Sequence, residues 1–354
     1  MKISKFARLA FVLSILILGA YALAVSAAGS GYHLVKKVPL AVAPGGGEYF
    51  DYILVDSDAR RVYVSHGTEI VVVDADKYTV LGTIADPRFK RVHGVALVKS
   101  LNKGFISDGD AQSAFVFDIK TMKVTGEVKT NQPDTDSIIY DPASKMIFTF
   151  NGDSHNTTVI DPKKEAVVKN IDLVGAVEFP AVDGKGMVYD NNEDKNDVVA
   201  IDSKTLTIKA RWPVAPSGTA VALAIDTKNR RLFSAGRKPQ MLVIMDADKG
   251  NVIQSFPISV GVDAIQFDPG TGMVLVSTRE GMIHIYHEDT PDKFSEVETV
   301  KTEYGAKTMG LDTKTHTLYL STSDFDPPAA PTEKQPNPLP RAKAGNFRLL
   351  IYGR

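Results

Sequence analysis

Beyond Gly31 the chain is a succession of short apolar runs, each closed by a polar turn, and none carries the 3.6-residue periodicity of an amphipathic helix. The most regular of these runs ends in aspartate. VVVD closes at Asp74, FVFD at Asp118, TVID at Asp161, VAID at Asp202 and VIMD at Asp246, and the sixth equivalent, HIYH, closes at His287. Successive ends are 44, 43, 41, 44 and 41 residues apart, inside the roughly 40–50-residue range of propeller blades. Each unit has the same internal order: a strand such as SIIYD (Ser137 to Asp141), a second such as RVYVS (Arg61 to Ser65) or RLFSA (Arg231 to Ala235), the Asp-ending strand, and a fourth such as VTGEVKT (Val124 to Thr130).

Four short antiparallel strands per unit, repeated around a ring, remove the exposed sheet edges that an open array would leave. The pattern therefore predicts an all-β fold, a seven-bladed β-propeller. The last unit supplies TMGLD (Thr308 to Asp312), TLYLS (Thr317 to Ser321) and RLLIYG (Arg348 to Gly353), after which the chain ends. Its missing strand is expected from YHLVKKVPL (Tyr32 to Leu40), so that the N-terminal strand completes the C-terminal blade. Within that blade the Pro-rich segment 326–345 (DPPAAPTEKQPNPLPRAKAG) is too long for a hairpin turn and predicts an extended loop, read as a lid, a docking arm or a surface insertion.

The repeats RRVYVS, TVID and DSKTLTI resemble those of the YVTN family of seven-bladed propellers, and more narrowly its exported YncE-like members. The resemblance spans Tyr32 to Arg354. It implies the fold, but such propellers serve as binding scaffolds, docking surfaces and occasionally enzymes, so function has to be argued from the site.

The first residues read as an address. Lys2, Lys5 and Arg8 precede an apolar run from Leu9 to Val25, and the small residues Ser26, Ala27, Ala28 and Gly29 follow, which predicts a signal peptide over 1–28 cleaved near Ala28. The alternative for that run is an uncleaved anchor. Cleavage leaves a periplasmic or secreted propeller over 32–354, without stable membrane insertion and expected as a monomer. The absence of cysteine excludes disulfides, thiolate metal sites and covalent haem c. With 41 Lys+Arg against 42 Asp+Glu there is no basic field to grip phosphate backbones, so the expected partner is a small molecule or a protein and not nucleic acid.

The repeat register points to a site. The residue five positions before the end of the innermost strand is Asp51, His93, Asp136, Glu178, Val221, Asp263 and Lys307 in successive units, at separations of 42, 43, 42, 43, 42 and 44. Six of these seven are ionisable, and equal register predicts that they converge on one mouth of the central channel. The candidate metal ligands are Asp51, His93, Glu178 and Asp263; oxygen-rich sets suit calcium or magnesium and an imidazole admits zinc. Without a metal, crowding should raise some of the carboxylate pKa values while Lys307 offsets the charge. The loops between second and third strands add His66, Asp108, Asp110, Asn151, Asp153, Asn191, Glu193, Glu280 and Asp324, mostly turn chemistry. They also add Arg237 and Arg279, which turns do not require and which can bind a carboxylate or phosphate.

Other signals point away from chemistry. The run Asp190 to Asp197 begins like a calcium loop but has Lys195 where the sharp turn needs glycine and Ile201 where the bidentate Glu belongs, so it reads as a polar turn. Trp212, beside Pro213, reads as a packing residue. GxSxG, HExxH and P-loop patterns do not occur. The sequence thus favours a non-catalytic binding or interaction scaffold. The alternative is a metal-dependent hydrolase or lyase, similar in architecture to propeller lactonases, with the metal as Lewis acid and His93 as general acid or base.

Overall fold

A computed structural model describes residues 29–43, 49–333 and 336–354. Residues 1–28, where the sequence predicts a signal peptide, lie outside the described residues. The fold is all-β: seven four-stranded antiparallel sheets form a ring, with a single 3-10 turn at Lys99–Leu101 among the described residues. The ring closes as the repeat pattern predicts. Strand His33–Pro39 pairs with Arg348–Gly353, which pairs in turn with Thr317–Thr322 and then Met309–Asp312, so both ends of the chain share one sheet. Among the described residues no helix is long and apolar enough to cross a membrane.

Position in the blade decides which strands are apolar. The second and third strands are buried along nearly their whole length, as in Arg61–His66 and Glu69–Asp74, because neighbouring blades cover both faces. The outermost strands, such as Val80–Ala85, are mostly exposed. The core consists of apolar clusters between adjacent blades. The one at the closure joins Val38, Leu349 and Ile351 to Ile53, Val62 and Val64 of the first blade.

The recurrent aspartates are explained by turns. Asp74, Asp202 and Asp246 each accept from the backbone N–H groups two and three residues on, at 2.8–3.0 Å. The residue after those, Tyr78, Leu206 or Gly250, takes a positive φ of 55°, 55° or 74° and returns the chain to the fourth strand. The sixth blade has His287 in place of this aspartate, and there the hairpin runs on through Met282–Thr290 and Lys293–Lys301. Trp212 sits in the outer strand Thr207–Pro213 near Tyr189, with ring centroids 6.1 Å apart. An added Cβ at Gly250 would lie 1.9 Å from its ring, so glycine is required there for packing as well as for φ.

Candidate functional site

The innermost strands begin at one face, where a repeated backbone bond sets their register. In six blades, the residue two positions before the aligned ring residue presents its carbonyl to a backbone N–H of the loop between second and third strands. The pairs are Gly67 to Tyr49, Gly109 to Arg91, Gly152 to Asp134, Glu193 to Ala176, Arg237 to Thr219 and Arg279 to Gly261, at 2.6–3.1 Å. Equivalent side chains are therefore delivered to equivalent places around the channel.

The channel mouth holds a cavity of about 140 Å³ lined by Asp51, Asp136, Glu178, Asp263, Lys307 and Arg237, with Tyr49 and Tyr52 completing its wall. Its charges fall into two groups. On one side, His93 Nδ1 lies 2.8 Å from Asp51 Oδ2 and 2.7 Å from Asp136 Oδ1, and the Tyr49 hydroxyl donates to Asp51 Oδ2 at 2.7 Å. A single Nδ1–H can point along only one of these directions. His93 therefore hydrogen-bonds Asp51 and leaves Asp136 Oδ1 as a close ion-pair contact without a linear bond. On the other side, Asp263 takes Arg237 Nη2 on Oδ1 at 2.6 Å and Lys307 Nζ on Oδ2. Glu193 stands 3.5 Å from Arg237 Nη1. Glu178 lies between the groups, on the cavity wall.

Burial and neighbouring charge set the protonation states. Burial alone would push the His93 imidazole down, but Asp136 and Asp51 override it and raise its pKa to about 10, so the ring is a cation at neutral pH. Asp51 is held below its ordinary range, since bonds from His93 and the charge of Lys307 outweigh its burial. Asp136 is pushed up by burial and by Asp51 and Asp134. Glu178 is raised well above its ordinary value, chiefly by burial, with Asp136, Glu193 and Asp263 adding to the effect against Arg237. Burial also works against the Lys307 ammonium, yet Asp263 and Asp51 raise its pKa.

Of the four metal ligands expected from sequence, the structure brings two together, and Asp136 is the third. Ligand atoms of Asp51, His93 and Asp136 lie within 4.8 Å of one another. Asp263 is instead engaged by its two cations, and Glu178 stands apart from the trio. Val221, 1% exposed, is a core residue. Arg237 reaches the cavity; Arg279 lines a neighbouring one with Tyr49 and Lys307. Several loop residues are occupied structurally. His66 is fully buried and stacks on Phe347 at 4.0 Å. Asp108 accepts from the backbone of Lys90 and Arg91 at 2.7 and 3.0 Å, and Asn191 bridges to Ala222 O and Ser234 Oγ at 2.7 and 2.9 Å.

Sequence reasoning missed Tyr49, Arg91, Asp134, Tyr52 and Phe179, although the same alignment carries them. Two positions before the ring stand Tyr49, Arg91 and Asp134, and Arg91 Nη2 pairs with Asp134 Oδ1 at 2.6 Å beside His93. One position after the ring stand Tyr52 and Phe179, where the other blades have Gly94, Ser137, Ala222, Ala264 and Thr308. Both of these large rings line a second, larger cavity of about 530 Å³, and Tyr52 also lines the charged one.

No protein-family model matches this chain. It is similar to Antigen Lp49 of Leptospira interrogans serogroup Icterohaemorrhagiae serovar copenhageni, 23% identical over 246 residues that cover 63% of this chain. The chain covers 53% of that relative, about half its length. Among solved structures it is similar to a chain in the crystal structure of the mitotic checkpoint complex, with a TM-score of 0.70, 12% identity and 91% of each chain covered. At that identity the likeness shows the fold alone: the chain is a seven-bladed β-propeller.

Proposed function

We propose that this chain is an exported, non-catalytic propeller of the YVTN-repeat, YncE-like type that binds a divalent cation at its channel mouth and offers the surrounding face to a small-molecule or protein partner. The observation that carries the cation reading is the convergence of Asp51 Oδ2, His93 Nδ1 and Asp136 Oδ1 within 4.8 Å, in a cluster whose one Nδ1 proton serves only one of two carboxylates. A metal in its place would meet all three. One nitrogen and two oxygens suit zinc or a similar first-row ion better than calcium or magnesium. His93 Nε2, buried and without a hydrogen-bond partner, faces Asp134 Oδ1 at 3.9 Å, where a carboxylate can orient a ligating imidazole. The repeat motifs support the family, and a relative named as an antigen accords with export.

Burial favours binding over catalysis. His93 is 2% exposed and is not among the residues lining the cavity, so as a ligand it is well placed and as a proton donor to substrate it is not. The protonated imidazole makes binding a competition between metal and proton, and affinity should rise by up to about tenfold per pH unit as pH approaches 10. Calorimetric titration with zinc chloride at pH 7 and 8.5 tests this. One site that tightens with pH and weakens at least tenfold in His93→Ala supports the reading; zinc affinity that is the same in wild type and His93→Ala overturns it.

A further inference from the structure

Beside the channel mouth, under the Pro-rich arm, lies a second pocket of about 260 Å³, just below the roughly 300–1,000 Å³ of drug-sized ligand sites and of a size for a smaller molecule. The arm leaves and returns through a short ribbon. Phe325 bridges to Ala342, Asp326 N donates to Arg341 O at 2.8 Å and Lys343 N to Asp324 O at 2.7 Å, which holds Leu339 and Pro340 over the pocket. Phe50, Tyr304 and Phe325 form apolar walls, with Tyr304 and Phe325 edge to face at 5.1 Å.

Two features of the lining call for an occupant. The first is charge. Among the described residues Arg279 has no ion pair or side-chain hydrogen bond, whereas Arg237, its counterpart on the preceding blade, is tied to Asp263 and Glu193. Lys307 lines the same pocket, and the nearby Glu280 carboxylate turns away to accept from Val260 N at 3.1 Å. An anion is therefore favoured at Arg279, with Lys307, itself bonded to Asp263, adding its charge from the side. The second is exposed apolar surface: Leu339 is 56% and Tyr304 41% exposed, and both line this pocket.

We propose that this pocket binds a small organic carboxylate with an apolar body. Arg279 takes the carboxylate on its planar fork, Lys307 adds a point charge, and the body lies against Phe50, Tyr304 and Phe325 beneath Leu339. The site is separate from the cation cluster, to which Arg279 contributes nothing.

The probe is benzoate, with benzamide as its uncharged isostere, followed by calorimetry or ligand-observed NMR on the full propeller up to about 10 mM, the weak limit of a specific small-ligand site. The expected results are saturable benzoate binding, at least tenfold weaker binding of benzamide, and at least tenfold loss in Arg279→Gln with unchanged thermal stability. Leu339→Ser, at a solvent-exposed position that folding does not need, should weaken benzoate severalfold. His93→Ala should leave it unchanged, which separates this site from the cation cluster. No benzoate binding, equal binding of benzamide, or full retention in Arg279→Gln would each overturn the proposal.

Discussion

Tyr52 and Phe179 meet edge to face across the channel, with ring centroids 5.0 Å apart and planes inclined at 61°. They come from blades one and four at a register position where the other blades have small side chains. Tyr52 lines both the small charged cavity and the larger one of about 530 Å³, while Phe179 lines the larger one only.

Replacing Tyr52 with alanine should therefore join the two chambers and hydrate the carboxylates. Burial is the main cause of the raised Glu178 pKa, so that pKa should fall back toward the ordinary carboxylate range in Tyr52→Ala. Carbon-13 NMR titration of the Glu178 carboxyl measures it directly. An unchanged value would mean that neighbouring charge, and not burial behind Tyr52, sets it.

His93 makes stability depend on alkaline pH in a defined direction. Its pKa rises from 6.5 in the unfolded chain to about 10 in the fold, so the folded state binds the extra proton between those values. The stability it contributes is fully present below pH 6.5 and is lost as pH rises through about 10. Asp51, Asp136 and Tyr49 face Nδ1, and Asp134 and Arg91 lie beyond Nε2. Urea unfolding from pH 6 to 10 should show wild type losing its advantage over His93→Gln across this window. A constant difference would show that the imidazole does not titrate there.

Among the described residues Asp263 is the sole carboxylate bonded to Lys307, and it is a principal partner of Arg237. Asp263→Asn leaves two cations facing each other around a neutral amide. The expected cost is about 2–3 kcal/mol, below the ~3–5 kcal/mol of a fully buried pair because Lys307 and Arg237 keep partial access to water. Chemical denaturation measures it, and a loss below about 1 kcal/mol would assign Asp263 no more than an exposed ion pair.

What the sequence made legible follows from its periodicity. Equal spacing of the innermost strands predicts that Asp51, His93, Asp136, Glu178, Asp263 and Lys307 share a height in the channel, because one register recurs in every blade. Periodicity does not say which neighbours pair around the ring. That is decided by side-chain reach and by loop residues outside the aligned position: Arg237 crosses to Asp263, and Tyr49 bonds Asp51, the same carboxylate that takes His93. The Asp-ending strands were legible as a repeat, while their cause, a carboxylate capping a turn that ends in positive φ, needs the backbone. His66, one of the polar residues expected in the loops, is a stacking partner of Phe347, a residue from the far end of the chain that ring closure brings near.

The central claim is that a divalent cation takes the place of the shared proton among Asp51, His93 and Asp136. Anomalous diffraction at the zinc edge, from crystals grown at pH 8.5 with zinc chloride, tests it most directly. The account predicts a single strong peak bonded to Asp51 Oδ2, His93 Nδ1 and Asp136 Oδ1 at about 2.0–2.2 Å, absent in His93→Ala. A cluster that stays closed around its proton, with zinc only on exposed histidines such as His33 or His287, would contradict it.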